Sequence, residues 1–335
     1  MLKDRLKTSA VLISIIVALI YLDMHFSLPG AEGLWLVPLL LFFALGTASD
    51  ISNLLAGSGR PIRRGSTLVA TAMVTLSACI PLMWRLAAAT YPVGCPVGRL
   101  GWIVIAAVGG MFWILLSEMR TYGLPLVESG LTSKSDSTSS SKNSGTIERT
   151  CAGVFVSLYV GLPMALLVAL RSMNTSTHSG NWGLAALLTM IAVTKSTDAG
   201  AYFSGKALGR NKLIPRLSPG KTREGAIGGI VTATIVAFLC LNWLFPWIAG
   251  PISKGAPAPS IAFFANPFVG ALVLGPTLAV SGMIGDLAES LVKRDTQAKD
   301  SGNWLPGLGG VWDVTDSLIA AIMPAFLCFA AGVGG

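Results

Sequence analysis

The stretch "FVGALVLGPTLAVSGMIGDLAESLVKR", residues 268–294, changes character after residue 284. Residues 268–284 are almost all apolar, and their number approaches the roughly 20 residues that a helix needs to cross a bilayer. The next ten residues contain two carboxylates, a serine, a lysine and an arginine. The stretch therefore predicts a transmembrane helix that continues beyond the membrane surface as a polar helix.

The rest of the chain is as apolar as this stretch. Of its 335 residues 53% are hydrophobic and only 12% are charged, whereas soluble domains carry about 25% charged residues. We therefore expect an all-α, polytopic integral membrane protein with about nine transmembrane helices. The predicted spans lie near residues 9–29, 33–55, 67–90, 100–119, 151–170, 182–203, 225–248, 266–286 and 313–333.

The basic residues predict the orientation of these spans. With the N-terminus inside, nineteen of the 24 Lys and Arg residues fall on the inner side, as the positive-inside rule requires. The N-terminus and the loops at 56–66, 120–150, 204–224 and 287–312 are then cytoplasmic. We expect the membrane to be a bacterial inner membrane, although the charge pattern itself gives only the orientation. The first span is expected to be an uncleaved helix rather than a signal peptide. The net charge of +8 is explained by this topology and by attraction to anionic lipids and solutes, without a nucleic-acid partner.

The chain divides into three regions by composition. Residues 1–128 form an N-terminal transmembrane region that is nearly free of polar groups within its spans. Residues 129–149 are Ser-rich and predict a disordered cytoplasmic loop. Residues 150–335 carry two polar stretches, 194–225 and 285–317, both on the inner side. We expect the active site there. The absence of a clear internal repeat gives little support to an inverted-repeat transporter, and the five scattered cysteines suggest no metal framework.

Acidic residues cluster around the last two spans. Asp286, Glu289, Ser290 and Lys293 share one helix face because they are spaced i, i+3, i+4 and i+7. A solvated helix end with a Glu289–Lys293 ion pair would give the same pattern.

Two further acids, Asp313 and Asp316, open the last span beyond the glycine-rich hairpin "KDSGNWLPGLGG". Asp313 alone is also consistent with an ordinary helix cap. Carboxylates at one depth in a low dielectric repel unless a cation joins them, and oxygen ligands select a hard ion such as Mg²⁺.

The other polar stretch supplies basic groups. Asp198 lies within a span, three residues after Lys195, and an internal ion pair is the simplest explanation of both. "SPGKTREG", residues 218–225, is not a P-loop, because Pro215 stands where the first glycine is required. Lys221 still suits phosphate as a point charge. Acids for a metal and bases for phosphates on one membrane face favour phosphoryl or nucleotidyl transfer to a lipid.

The stretch "GDLAESLVKRDTQAKDSGNWLPGLGGVWDVTDS" closely resembles the signature of the phosphatidate cytidylyltransferases, and "TDAGAYFSGKALGRNKLIPRLSPGKTREGAIGG" resembles their upstream motif. The resemblance covers roughly residues 190–330. It implies a membrane enzyme, usually a homodimer, that joins CTP and phosphatidic acid into CDP-diacylglycerol and pyrophosphate with Mg²⁺, with or without a second metal ion.

The resemblance also implies roles for individual residues. The metal ligands would be Asp286, Asp313 and Asp316. The catalytic residues would be Asp286, Asp313, Lys293, Arg294 and Lys299. The substrate-binding residues would be Ser218, Lys221, Thr222, Glu224, Asp198, Ser290 and Asp300.

The sequence departs from the family pattern at three positions. Leu308 occupies the position of a histidine in the family pattern, Val314 that of an arginine and Gly220 that of a lysine. We expect Leu308 and Val314 to be tolerated, because the acids, the basic run and the glycines around both positions are intact. Phosphatidate is also largely ionised at pH 7 and needs no general base. The alternatives are a polyprenol-type kinase or a CDP-archaeol synthase, a cation transporter, and a homologue that has lost catalysis.

Overall fold

The structure, a computed structural model, describes residues 2–27, 31–60, 62–87, 89, 91–92, 94–122, 145–174, 180–250 and 261–335, with the side chains of all but residues 2–4, 85 and 86. Most of the Ser-rich loop expected at 129–149 lies outside the described residues. Its last four residues, 146–149, belong to a helix that begins at Thr146.

The described part of the chain is almost entirely helical. Its α-helices are α1 (Leu2–His25), α2 (Val37–Gly57), α3 (Arg64–Ser77), α4 (Ile80–Leu86), α5 (Gly98–Arg120), α6 (Thr146–Arg171), α7 (Trp182–Leu208), α8 (Arg223–Leu239), α9 (Phe245–Ala249), α10 (Pro267–Asp295) and α11 (Trp312–Ala330). A π-helical turn, Cys240–Leu244, joins α8 to α9. Seven helical segments of the described chain are long and apolar enough to cross a membrane. The protein is thus an all-α polytopic membrane protein, but the expected count of nine spans is not confirmed.

Two predicted spans fall outside those seven, for different reasons. The third is divided into α3 and α4, with a break at Ala78 and Cys79 just before Pro81. The sixth is present as α7, which is long enough but carries Lys195, Asp198 and several hydroxyl residues. The first half of α7 is surrounded by other helices, and Leu184 and Met190 are fully buried. A helix enclosed by protein need not be apolar enough to face lipid.

A small β-hairpin lies between α7 and α8 at one end of the helices. Strands β1 (Lys212–Ile214) and β2 (Ser218–Thr222) are antiparallel, and Lys212 lies opposite Thr222. The Thr222 hydroxyl accepts the N–H of Gly225 at 3.1 Å and so caps α8. The Glu224 carboxylate accepts the backbone N–H groups of Arg210 and Asn211, both at 3.1 Å. These bonds fix the hairpin to the start of α8.

The hydrophobic core lies between α2, α6, α7, α8, α10 and α11. Trp182 and Trp312 are its largest buried side chains, each 1% exposed. Trp182 packs edge-on against Phe245 and Phe329, with ring centroids 5.5 Å and 5.9 Å away. The core thus surrounds α7 and holds α10 and α11 against it.

The N-terminal half carries more buried charge than the sequence suggested. Asp23, Asp50 and Glu118 are 0%, 0% and 2% exposed, so the expectation that these spans are nearly free of polar groups was wrong. Glu118 on α5 pairs with Arg63 at 2.6 Å and with Arg149 at 3.0 Å. Each buried acid has cationic or backbone N–H partners, as burial of a charge requires.

A buried ion pair fastens α1 to α6 at the opposite end from the hairpin. Arg171 lies 2.7 Å from the Asp23 carboxylate. Asp23 also accepts the Gly33 N–H at 2.8 Å, and Arg171 donates to the Gly180 carbonyl at 2.8 Å. The pair fixes the end of a helix that has few other contacts.

We predict that Asp23→Ala lowers the free energy of unfolding by about 3–5 kcal/mol, because it leaves the Arg171 guanidinium buried without a counter-ion. Unfolding in detergent micelles measures the loss. Arg60→Gln is the control, since Arg60 forms an exposed pair with Asp295 and exposed pairs contribute little. Equal melting temperatures for the two variants would contradict the structural role of Asp23.

Candidate functional site

A glycine brings α10 and α11 into contact at the depth where both carry acids. A β-carbon at Gly285 would overlap the backbone oxygen of Asp316 and crowd Ala320, 2.8 Å away. Only glycine lets the two backbones approach this closely. The adjacent Asp286 therefore lies next to α11, with no layer of side chains between the two helices at this point.

Three carboxylates meet at this crossing. Oxygens of Asp286, Glu289 and Asp316 lie within 4.8 Å of one another, the group among the described residues that could hold a metal ion. Glu289 is 4% exposed and Asp316 is 7% exposed, while Asp286 is half-buried. Asp286 and Glu289 share a face of α10 because they are three residues apart. Three acids so close and so buried require positive partners.

Lysines from two elements supply part of that positive charge. Lys221 reaches from β2 to within 2.7 Å of the Asp286 carboxylate. Lys293, one turn beyond Glu289 on α10, lies 2.5 Å from the Glu289 carboxylate and also pairs with Asp313. The hairpin and the end of α10 thus enclose the acidic cluster on two sides.

A third lysine holds α11 from the side of α7. The Lys195 ammonium donates to the Val314 carbonyl at 2.9 Å and to the Ser317 hydroxyl at 3.0 Å. The fourth acid, Asp198, lies within electrostatic range of Lys195, Asp316, Asp286 and Lys221. The direct Lys195–Asp198 ion pair expected from the sequence does not form, because the Lys195 ammonium bonds to α11 instead.

The charges of this network do not cancel. It contains five carboxylates and three ammonium groups, which leaves two negative charges when all are ionised; the members are Asp198, Asp286, Glu289, Asp313, Asp316, Lys195, Lys221 and Lys293. A divalent cation would neutralise this surplus. Because the donor atoms are carboxylate oxygens, a hard ion such as Mg²⁺ fits them better than zinc or copper.

The structure places Asp313 outside the three-carboxylate group. Its carboxylate accepts the N–H groups of Gly310 at 2.7 Å and Ser301 at 3.2 Å and pairs with Lys293. These bonds hold the glycine-rich loop against the start of α11. The structure brings Glu289 together with Asp286 and Asp316 instead, and the expected role of Asp313 as a metal ligand stays a prediction.

A residue from the N-terminal half, Asp50 on α2, holds the start of α11. Val311, which precedes this helix, has no side-chain oxygen to cap it. Asp50 instead accepts the N–H groups of Val311 at 2.6 Å and Trp312 at 3.1 Å. A β-carbon at Gly310 would clash with Asp50 and Ser301. Sequence reasoning missed Asp50, although an acid inside a predicted span was the signal that singled out Asp198 and Asp316.

A basic cavity lies beside the acidic cluster along the last turns of α10. Its volume is about 640 Å³, and it is lined by Ser290, Lys293, Arg294, Gln297, Ala298 and Lys299. Four of the residues predicted for substrate binding or catalysis therefore share one cavity. Lys293 belongs both to this cavity and to the ion pairs of the acidic cluster.

The remaining predicted site residues are more dispersed. Of residues 218–225, which form β2 and the start of α8, Lys221 reaches the cluster, whereas Thr222 caps α8 and Glu224 fixes the hairpin. Ser218 is half-buried on β2, and Asp300 is exposed beyond α10.

The three departures from the family pattern do not disturb the local structure. A side chain at Gly220 would meet open space. Val314 contributes the carbonyl that binds Lys195, and this bond is independent of its side chain. Leu308 is half-buried and donates its N–H to the Leu305 carbonyl at 2.9 Å.

An acidic cluster and a basic cavity, joined by a shared lysine at the end of a membrane helix, provide the metal ligands and cations that enzymes use to transfer phosphorus groups. Residues 3–331 match the model of the cytidylyltransferase family, so the chain is a member of that family.

Individual relatives carry a more specific name. The chain is 38% identical over 153 residues to a phosphatidate cytidylyltransferase of Haemophilus influenzae, covering 46% of this chain and 48% of the relative. It is 36% identical over 188 residues to that of Bacillus subtilis, covering 56% and 60%. It is 42% identical over 146 residues to the phosphatidate cytidylyltransferase of Brucella suis, covering 44% of this chain and 47% of the relative. The chain spans about half the length of the curated relatives it matches.

We predict that Asp50→Ala exposes the Val311 and Trp312 amides to hydrogen exchange and lowers the free energy of unfolding by about 1–3 kcal/mol, because two buried donors lose their acceptor. Exchange monitored by mass spectrometry over residues 301–316 measures the effect. Ser52→Ala is the matched control, since Ser52 is also buried on α2 but bonds only to Ala48 of its own helix, at 2.6 Å. Unchanged exchange in Asp50→Ala would remove Asp50 as the cap of α11.

Proposed function

We propose that the protein transfers the cytidylyl group of CTP to phosphatidic acid, giving CDP-diacylglycerol and pyrophosphate for phospholipid biosynthesis. The observation that carries the proposal is the acidic cluster of Asp286, Glu289 and Asp316, joined through Lys293 to a basic cavity. Membership of the cytidylyltransferase family and the names of the relatives support the same reaction.

Mg²⁺ is the proposed cofactor. The oxygen-only donor set supports it, as do the two negative charges that remain when every member of the network is ionised. Asp286, Glu289 and Asp316 would hold the ion, and Asp313 remains a candidate through the Lys293 that it shares with Glu289. When bound, the ion would neutralise charge that develops on the phosphates during transfer.

The basic residues would bind and orient the nucleotide. Arg294 and Lys299 are exposed along the cavity, where they suit the triphosphate of CTP as point charges and hydrogen-bond donors. Lys221 reaches the acids from the hairpin, so a phosphate between it and the cavity would meet cations from two separate elements. This arrangement would hold the α-phosphorus in place during attack.

The chemical step needs little proton transfer. A phosphate oxygen of phosphatidate would attack the α-phosphorus of CTP, and the bond between the α-phosphorus and the bridging oxygen of the β-phosphate would break. Since a phosphate monoester has a second pKa near 6, the nucleophile is already largely ionised at pH 7. The leucine at position 308 is compatible with this chemistry.

The proposed site faces the cytoplasm from a bacterial inner membrane, and the enzyme is a homodimer. The excess of basic residues on one side and the bacterial sources of the relatives support the location. An impermeant maleimide should label Asp300→Cys only when the reagent is given access to the cytoplasmic side of the membrane. Labelling from the outer side would place residue 300 away from cytosolic CTP and contradict the proposed orientation.

Product analysis tests the reaction. Purified protein incubated with phosphatidate, CTP and Mg²⁺ should release one pyrophosphate for each CDP-diacylglycerol formed. CDP in place of pyrophosphate would indicate a lipid kinase. No product from phosphatidate, but product from an ether-linked archaeal analogue, would indicate the related archaeol-type synthase. No product from either lipid would indicate a homologue that has lost catalysis.

We predict that Glu289→Gln and Asp316→Asn each lower kcat by at least about 100-fold at saturating Mg²⁺, since even outer-shell partners of a metal are worth about 10- to 100-fold. Both variants keep the shape of the side chain and lose its charge. Pyrophosphate release measures the rate. Asp295→Asn is the control, because Asp295 is an exposed acid at the end of the same helix. A near-normal rate in either test variant would exclude that carboxylate from the reaction.

A further inference from the structure

Helix α1 is fastened at its two ends and is largely free between them. At one end Arg5 donates to the Gly307 carbonyl at 2.6 Å and Thr8 donates to the Pro306 carbonyl at 2.9 Å. At the other end Asp23 forms the buried pair with Arg171. Only 6% of the membrane-spanning part of α1 is buried within the protein. The middle of the helix is therefore mostly exposed.

An apolar groove runs along this middle part. Its volume is about 540 Å³, and its walls include Val11, Leu12, Ile15 and Leu19 of α1, Phe42 of α2, and Leu305 of the glycine-rich loop. Lys7 lines the same groove at the end where Arg5 and Thr8 bind the loop. The twelve residue-to-residue steps from Lys7 to Leu19 correspond to about 18 Å of helix. The groove is thus long, narrow and apolar, with a cation at one end.

The chemistry of the groove selects its occupant. Water has few hydrogen-bonding partners in so apolar a space. An extended acyl chain matches its length and offers only apolar surface. The exposed ammonium of Lys7 and the guanidinium of Arg5 lie where the polar end of such a lipid would emerge. Basic side chains at that level attract anionic headgroups.

We propose that this groove binds one acyl chain of a non-reacting anionic phospholipid whose phosphate lies at Lys7. The inference goes beyond the proposed reaction, because the groove shares no lining residue with the acidic cluster or the basic cavity. Leu305 links it to the site only indirectly: Leu305 bonds Gly309, and the adjacent Gly310 bonds Asp313. The lipid would brace α1 against the loop that holds Asp313.

Native mass spectrometry of the full-length protein tests the binding. The probes are phosphatidylglycerol and phosphatidylcholine with identical acyl chains, offered in equal amounts. We expect one retained phosphatidylglycerol per chain. Ile15→Trp should fill the groove and remove this adduct. Ile13→Trp is the matched control, since Ile13 is exposed on the same helix but does not line the groove.

The charge of Lys7 provides a second test of the proposal. Lys7→Gln should reduce the preference for phosphatidylglycerol by about fivefold, the effect of roughly one basic residue at a membrane surface. Because Lys7 is exposed, this change should not affect folding. An adduct that survives Ile15→Trp, or a preference unchanged in Lys7→Gln, would overturn the proposal. A dimer that separates in Ile15→Trp without any lipid adduct would assign the groove to a second copy of the chain.

Kinetics distinguish this lipid from the substrate. In mixed micelles, added phosphatidylglycerol should raise kcat of the unaltered protein and of Ile13→Trp without changing the KM for phosphatidate, and Ile15→Trp should not respond. A raised KM for phosphatidate in Ile15→Trp would mean that the groove holds the substrate, which contradicts the proposal. If the protein has no transferase activity, the proposed function fails while the mass-spectrometric result still decides the groove.

Discussion

Lys293 bridges Glu289 on its own helix and Asp313 at the start of α11, and the arrangement of the site depends on this double ion pair. It lets two acids approach one another in a region where unpaired carboxylates would repel. The bridge joins α10, α11 and the glycine-rich loop, because Asp313 also accepts N–H groups from Ser301 and Gly310. Loss of Lys293 would remove the ion pair that links the end of α10 to the start of α11.

The start of α11 is held from two further sides. Asp50 on α2 caps it, and Lys195 on α7 binds the carbonyl of Val314 and the hydroxyl of Ser317. The N-terminal half of the chain is thus part of the site's support rather than only a membrane anchor. A site built on helices held this way keeps its carboxylates in place before any ligand arrives, as preorganised catalysis requires.

The sequence was sufficient to predict the helical membrane fold and one face of the site. Apolar length located the seven helical segments that could cross a membrane, and spacing placed Asp286, Glu289 and Lys293 on one face of α10. It could not show that Gly285 brings Asp316 to Asp286, because close approach depends on how two helices cross. Asp50 bonds to Val311 and Trp312, which lie 261 and 262 residues further along the chain. No local sequence pattern reveals a contact over such a separation. The break between α3 and α4 was missed because the apolar composition continues through it.

The central proposal is that Asp286, Glu289 and Asp316 hold the metal ion, with Asp313 as the competing candidate for the place of Glu289. Titration of the purified protein with Mn²⁺, followed by electron paramagnetic resonance, measures binding without any turnover. The account predicts that Glu289→Gln abolishes tight Mn²⁺ binding, whereas Asp313→Asn, which keeps the three carboxylates, retains it. Unchanged binding in Glu289→Gln together with its loss in Asp313→Asn would contradict the account.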